Sequence, residues 1–600
     1  SYMEQKTIQF DLSADRLLDL ADAKLDEGDP LGALRLIHKS LDLYGPAADE
    51  YAALADTYEE MELFELSAAA WFQYLDVCAE EEVVDGYEGL SACFYNLGNE
   101  GLASYYYKKM LADKYVTPEN NTEMGELFEH AAAAQAAPRV RITWPPEHAD
   151  YSQELDAGLR LLRKGDHEGA EREFLKIHPG SSYYAEACNY LAVSYLLSGK
   201  TDKAEECCLA ALKEKPDSVQ TLATYAAVLS EMDRKEESAR IAHKLSLLPA
   251  EEPDELYKIA TVCCENGLYE AAYEKFCKLE KIVGYDRTML YFKGVAAFRC
   301  GKVKECLASF GKILDIRPNA AVVRYYFRQV RRWSEEGGAK PEMSFFCHIP
   351  DAEREKRVTL LKELDKMRPA DARAYFQEDD SCELLEWCFD ESDGREFELQ
   401  MLAVSVALRA GQEWFVSGIL LDPEVNDLLK VETVRRICRR NKGVEFGAVI
   451  ANIYRKCAFD RLEVGREKHA KFLDAYALCF ARFTLLGDAD AERFRLAAQA
   501  VYGALEESEK LDLVKDTESL ACVIFFTAVG GGDGKDTKRV LQSMNADPQA
   551  VAEILGTVRS VFALQAEAAA ADAREQKEEA QEAKPEDGGE PKGEDGNETH

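Results

Sequence analysis

Side chains that could do chemistry are plentiful in this 600-residue chain, and their spacing decides what they could do. Cys347 and His348 are adjacent and Cys382 lies near Cys388, but there is no Cys-x-x-Cys pair and the spacing matches no closed zinc site. The glycines of Gly530–Gly534 lack the Lys–Ser/Thr that a phosphate-cradling loop requires, and they read as a flexible acidic connector. None of the nine histidines stands in a nucleophile motif. Tandem acids such as Glu80–Glu82 and Glu378–Asp380 read as solvated helix ends. The residues point to no enzyme, no metal site and no cofactor.

Two basic clusters remain. One comprises Arg317, Arg324, Arg328, Arg331 and Arg332; the other is Arg435, Arg436, Arg439, Arg440 and Lys442. Tyr325, Tyr326 and Trp333 are interleaved with the first, and cations on phosphate with rings on bases would suit nucleic acid. Against that, a formal charge of −38 repels polyanions and anionic membranes, and helical arginines pair readily with acidic neighbours. Pairing within the chain, then an acidic protein partner, comes before nucleic acid. A nucleic-acid-associated adaptor using the clusters at 317–332 and 435–442 is the alternative reading.

The elements that must position these residues are set by a period. Turn residues recur at Gly165, Gly199, Asp233, Gly267 and Gly301, 34 residues apart, and three more stand at Gly28, Glu62 and Gly98. Seven residues before each turn come Ala21, Ala55, Ser91, Gly158, Ala192, Ala226, Ala260 and Gly294. Five after it come Ala33, Ser67, Ala103, Ala170, Ala204, Ser238, Ala272 and Cys306. All are small, as two closely crossing helices require. Pro216 and Pro318 end second helices, where a residue that cannot continue the hydrogen-bond ladder belongs.

This pattern resembles the tetratricopeptide repeat (TPR) family, whose helical hairpins stack into a superhelix. The family's early tryptophan is missing, with Cys188, Leu222, Leu256 and Leu290 in its place. The resemblance implies an all-α solenoid whose first helices line a concave groove. Facing positions lie ten, six and three residues before the turn, which gives Asn189, Val193 and Leu196, then Ala227 and Ser230, then Tyr257 and Thr261, then Tyr291, Val295 and Phe298. Chaperone-adaptor members grip a peptide carboxylate with Lys, Arg and Asn at such places. Here only Asn189 matches, so a neutral, partly aromatic groove for an apolar or helical protein partner is expected, unless the chain's own C-terminal helices fill it.

The expected organisation is a three-repeat block (1–115), a linker (116–150), a five-repeat block with a capping helix (151–336), an irregular all-helical C-terminal domain (337–565) and a disordered acidic tail (566–600). The linker has Pro118, Trp144 and prolines on either side of a β-branched stretch. The tail has twelve acidic and four basic residues and nothing apolar larger than Ala. Ser13 reads as the N-cap of the first helix. The 17 cysteines, such as Cys207, Cys208, Cys263 and Cys264, read as reduced packing residues. The longest strongly apolar run, Leu520–Val529, is too short to span a membrane. A cytoplasmic interaction scaffold of undefined oligomeric state is the expectation.

Overall fold

Each of the eight turn residues adopts a left-handed backbone, with φ between 59° and 80° at Gly28, Glu62, Gly98, Gly165, Gly199, Asp233, Gly267 and Gly301. Without a Cβ, glycine enters this region freely, which is why six of the eight are Gly. The computed structural model describes residues 12–113, 151–179, 181–390, 396–464, 469–487, 490–532 and 534–582. The linker, with Pro118 and Trp144, lies outside the described residues.

The first block pairs α1 (Ala14–Asp26) with α2 (Pro30–Tyr44), α3 (Ala48–Glu60) with α4 (Phe64–Val77), and α5 (Val83–Asn96) with α6 (Glu100–Ala112). Ser13 caps α1 by accepting from the Arg16 amide. In the second block α7 (Ser152–Arg163) pairs with α8 (His167–Phe174), α9 (Tyr184–Leu197) with α10 (Thr201–Glu214) and α11 (Val219–Glu231) with α12 (Lys235–Leu247). Two further pairs are α13 (Pro253–Glu265) with α14 (Tyr269–Glu280) and α15 (Arg287–Arg299) with α16 (Val303–Ile316). A capping helix, α17 (Ala321–Glu336), follows.

The small residues sit where paired helices cross, and their serines show how close the crossing is. The hydroxyls of Ser67, Ser91 and Ser238 donate to the carbonyls of Ala55, Ala103 and Ala226 on the opposite helix, at 2.8, 2.7 and 3.0 Å. Where the second helix carries a large ring, the first has no side chain. A Cβ added at Gly158 would lie 2.4 Å from Phe174, and one at Gly294 would lie 2.5 Å from Phe310. Both rings are fully buried, a burial worth about 1.5–3 kcal/mol each.

The first block does not simply precede the second in space. Its α2 packs on α16, near the end of the second block, where Arg35 pairs with Asp315 at 2.7 Å and the Tyr58 phenol donates to the Ile316 carbonyl at 2.6 Å. The chain beyond α17 also departs from expectation. Compact grouping places residues 1–415 in one unit and 416–600 in another, so 337–415 belong with the repeats and not with the C-terminal domain. That stretch holds α18 (Asp351–Leu364), α19 (Pro369–Tyr375), α20 (Glu383–Cys388) and α21 (Phe397–Arg409). Ion pairs from α17 to α20 hold it there.

The second unit begins inside α22 (Glu413–Leu421) and continues with α23 (Asp427–Cys438), α24 (Ala470–Leu485), α25 (Ala491–Glu507), α26 (Thr517–Val529), α27 (Thr537–Met544) and α28 (Pro548–Glu582). Its core gathers Phe459, Tyr476, Phe480, Phe494 and the apolar run of α26. No described helix is long and apolar enough to cross a membrane. Among the described residues the helical architecture admits one antiparallel hairpin, β1 (Val444–Ile450) with β2 (Ile453–Phe459), joined by Ala451 and Asn452 at φ 51° and 62°. Such left-handed two-residue turns match the twist of paired strands. The Ala- and Glu-rich first part of the tail extends the last helix, α28 carrying residues 566–582 as exposed helix; Ala, Glu, Lys and Arg are strong helix formers, which favours this without any burial.

Candidate functional site

Along the inner face of the second block the expected groove residues divide into an open part and a closed part. Val193, Leu196 and Ala227 are half-buried and Ser230 is exposed. Asn189, between them on α9, is 2% exposed, and neither its Nδ2 nor its Oδ1 has a hydrogen-bond partner. Tyr257 and Thr261 are half-buried, the Tyr257 ring stacked on Phe292 at 6.4 Å.

At the far end Tyr291, Val295 and Phe298 are buried, which corrects the expectation that they line an open groove. The cover is neither a partner nor a C-terminal helix. Over Tyr291 and Phe298 it is α17 together with the irregular stretch 337–350, read in the sequence only as a boundary. The Tyr291 phenol donates to the Ser344 carbonyl at 2.7 Å, and Arg299 Nη2 donates to the Met343 carbonyl at 2.7 Å. Tyr326 on α17 donates to the His348 carbonyl. The Arg299 guanidinium lies against a stacked pair of rings, 4.9 Å from the centre of Tyr269 and 4.8 Å from that of Phe345. Phe298 meets Trp333 edge-on at 5.6 Å, with the Lys340 ammonium 4.8 Å above its ring. Burial raises the Tyr291 pKa and keeps its phenol a donor.

A tetratricopeptide repeat family model matches residues 185–218, which are α9, the Gly199 turn and α10 as far as Pro216 and its neighbours. With the same turn and crossing in every pair, the assignment follows. The chain carries a tetratricopeptide repeat. Similar solved structures include YrrB, described as a TPR protein with an unusual peptide-binding site, at 15% identity and TM-score 0.25 over 31% of this chain and 94% of that one. They also include yeast Tom70, at 12% identity and TM-score 0.25 over 90% of this chain and 98% of that one. No curated protein sequence matches significantly. Scores this low carry nothing further.

The arginines of both clusters are largely spent within the TPR chain. Arg324 pairs with Glu386 at 2.9 Å, and Arg328 pairs with Glu383 and, at 3.6 Å, with Asp380. Glu383 is also met by Arg357 at 3.1 Å. Arg331 reaches Glu335, one turn along its own helix. Arg435 forms a two-pronged bond with Asp474 at 2.9 and 2.8 Å, and Arg436 lies 3.9 Å from Glu432. Arg332, Arg439 and Arg440 remain exposed. Abundant acidic neighbours are the physical reason, and the pairing locks the 380–390 segment onto α17. Among the described residues no group of His, Cys, Asp or Glu is arranged to hold a metal ion.

The first TPR block has a surface that sequence reading passed over. Among the positions that the spacing rule gives for its turns are Asp22, Asp56, Glu59 and Glu88, acids where the corresponding positions of the second block have none. Partial burial, reinforced by Glu59, Asp22, Glu60 and Asp85, raises the Asp56 carboxyl to about 6. The signal was present in the periodicity.

Proposed function

We propose that this TPR protein is a non-catalytic, cytoplasmic scaffold that holds a partner polypeptide along the inner face of its five-repeat block, over α7, α9 and α11. The observation that carries the reading is the Asn189 side chain. Leaving a buried amide unpaired costs about 1–3 kcal/mol, and a packed groove would be more stable with Leu there. One peptide unit of an extended partner presents the N–H and the C=O that its Oδ1 and Nδ2 need, once the amide, enclosed in the free protein, turns out into the groove. Half-buried Val193, Leu196 and Ala227 flank it with apolar surface. No disulfide joins any of the 17 cysteines, which agrees with a reducing compartment.

The nucleic-acid alternative is less well supported, because Arg324, Arg328 and Arg435 are already neutralised inside the chain. The test is affinity capture from cytosol at high salt, with and without nuclease, comparing the full chain with its Asn189→Leu variant. Loss of a captured protein from a variant that melts no lower than the parent supports the groove. Unchanged capture with a higher melting temperature makes Asn189 a structural orphan and removes the basis of the reading. Loss of everything on nuclease treatment would favour the adaptor.

A further inference from the structure

The stretch 337–350 lies on the array as an extended ligand would. It has no helix or strand; apart from a bend at Phe345–Phe346, where the His348 N–H donates to the Phe346 carbonyl at 2.8 Å, its carbonyls at Met343, Ser344 and His348 are met by side chains of α15 and α17. Bonds of that kind ask only that the bound chain be extended, since they read the backbone and leave the sequence free. Sequence is read by three side chains. Met343 and Ile349 are buried, and the Phe345 ring lies against Arg299, Tyr269 and Phe292, 6.0 Å and 6.1 Å from the two ring centres.

Three features distinguish this segment from a permanent part of the core. It leaves α17 through Gly337 and Gly338, both left-handed at φ 77° and 100°, so a glycine pair stands where the chain turns into the groove. It does not close over its seat, because an open cleft of about 680 Å³ runs beside it, lined also by Phe298, Arg299 and Tyr326. It also leaves Phe346 76% exposed, a large ring in water beside that cleft. The contacts are thus those of recognition, with side chains gripping a backbone and a few apolar anchors, and with space to spare.

We propose that residues 340–349 are a built-in occupant of the α13–α17 end of the groove, holding the seat of a partner peptide that binds extended and carries a long aliphatic residue, an aromatic two residues later and a branched aliphatic four residues after that. The partner displaces the strap, which swings out from Gly337 and Gly338. Its Phe side chain takes the place of Phe345 against Arg299, and its carbonyls take the Tyr291 and Arg299 hydrogen bonds. Apparent affinity for such a partner is reduced by the fraction of time the strap is seated, so the strap sets a threshold for binding. The inference concerns the opposite end of the groove from Asn189 and does not depend on that residue.

The test uses this chain's own sequence as probe. A fluorescent peptide of residues 339–350 is titrated into the full-length protein and into a full-length Met343→Ser, Phe345→Ser, Ile349→Ser variant. The expected result is binding to the opened variant at least about tenfold tighter than to the parent, abolished when Tyr291→Phe and Arg299→Ala are added. Phe345→Ala alone, which removes one ring, should give intermediate binding and guards against misfolding of the triple variant. In the parent, hydrogen exchange at amides 340–349 should accelerate in excess peptide. Equal binding to all forms, or none to folded variants with loosened straps, overturns the proposal. Loss of the strap-peptide effect while the full chain still captures a protein over α7, α9 and α11 separates failure here from failure of the scaffold reading.

Discussion

Arg287 Nη2 lies 2.8 Å from Oδ1 of Asp390, whose carboxylate is wholly buried, while Asp390 Oδ2 accepts from the Val322 amide at 3.3 Å. One acid thus ties the segment after α20 to α15 and to the first turn of α17, which is why the chain to residue 415 groups with the repeats. Taking away one partner of a buried pair strands the other. Asp390→Ala is therefore expected to destabilise the first unit by about 3–5 kcal/mol, read as a shift in its denaturant midpoint. A change below 1 kcal/mol would mean that the pair is an ornament of the fold.

The turn residues make a second prediction. Glu62 occupies the left-handed region at φ 59° with a full side chain, at a position where most of the repeats have Gly. Glu62→Gly should stabilise the protein by about 0.5–1 kcal/mol, the relief of backbone strain exceeding the entropy that glycine adds to the unfolded chain. Gly301→Ala should cost about 1 kcal/mol or more for the converse reason. Thermal melts of the two variants moving in the same direction would contradict this account.

The acidic inner face of the first block predicts a pH dependence. The folded-state pKa of Asp56 is raised to about 6, above the value of about 3.9 for an unperturbed Asp. Its proton is therefore held more tightly in the folded state. The resulting stability is fully present below pH ~4 and is lost as pH rises through ~6. Asp56→Asn should raise the melting temperature at pH 7.5, and the gain should shrink towards zero near pH 4. A gain that does not vary with pH would remove the carboxyl as its source.

Lys430 on α23 gives the opposite slope. It is fully buried, its Nζ donates to the Val449 carbonyl at 2.5 Å, and burial lowers its pKa from 10.5 to about 8. The folded-state value lies below the unfolded one, so stability is present above the unfolded pKa and is lost as pH falls through ~8. Between pH ~10 and pH 7 the loss is about 3 kcal/mol. Lys430→Met, similar in length and uncharged, should flatten the melting temperature of the second unit between pH 7 and 10. A pH profile identical to the parent's would show that Lys430 is already neutral or does not titrate there.

What could be read from the amino acids alone was whatever repeats at short range. The 34-residue spacing and the small residues seven before and five after each turn are properties of one helical pair. A pair contacts mainly itself and its neighbours, so local sequence carries nearly all of the information. The ranges of α21, α24 and α25 were legible for the same reason, through their apolar spacing. The hairpin was also within reach, since Val444–Ile450 and Ile453–Phe459 are rich in β-branched and aromatic residues on either side of Ala451 and Asn452. The acidic inner face around Asp56 followed from a rule applied only to the other block.

Tertiary structure alone decided which inner-face positions are open. Tyr291 and Phe298 have the spacing of groove residues, and nothing near them in sequence reveals that Ser344 will meet the one and Trp333 and Lys340 the other. The same holds for Arg324 and Arg328, whose partners Glu386 and Glu383 lie more than fifty residues away. An arginine's type gives it a charge to satisfy, and only the folded chain determines which carboxylate arrives to satisfy it.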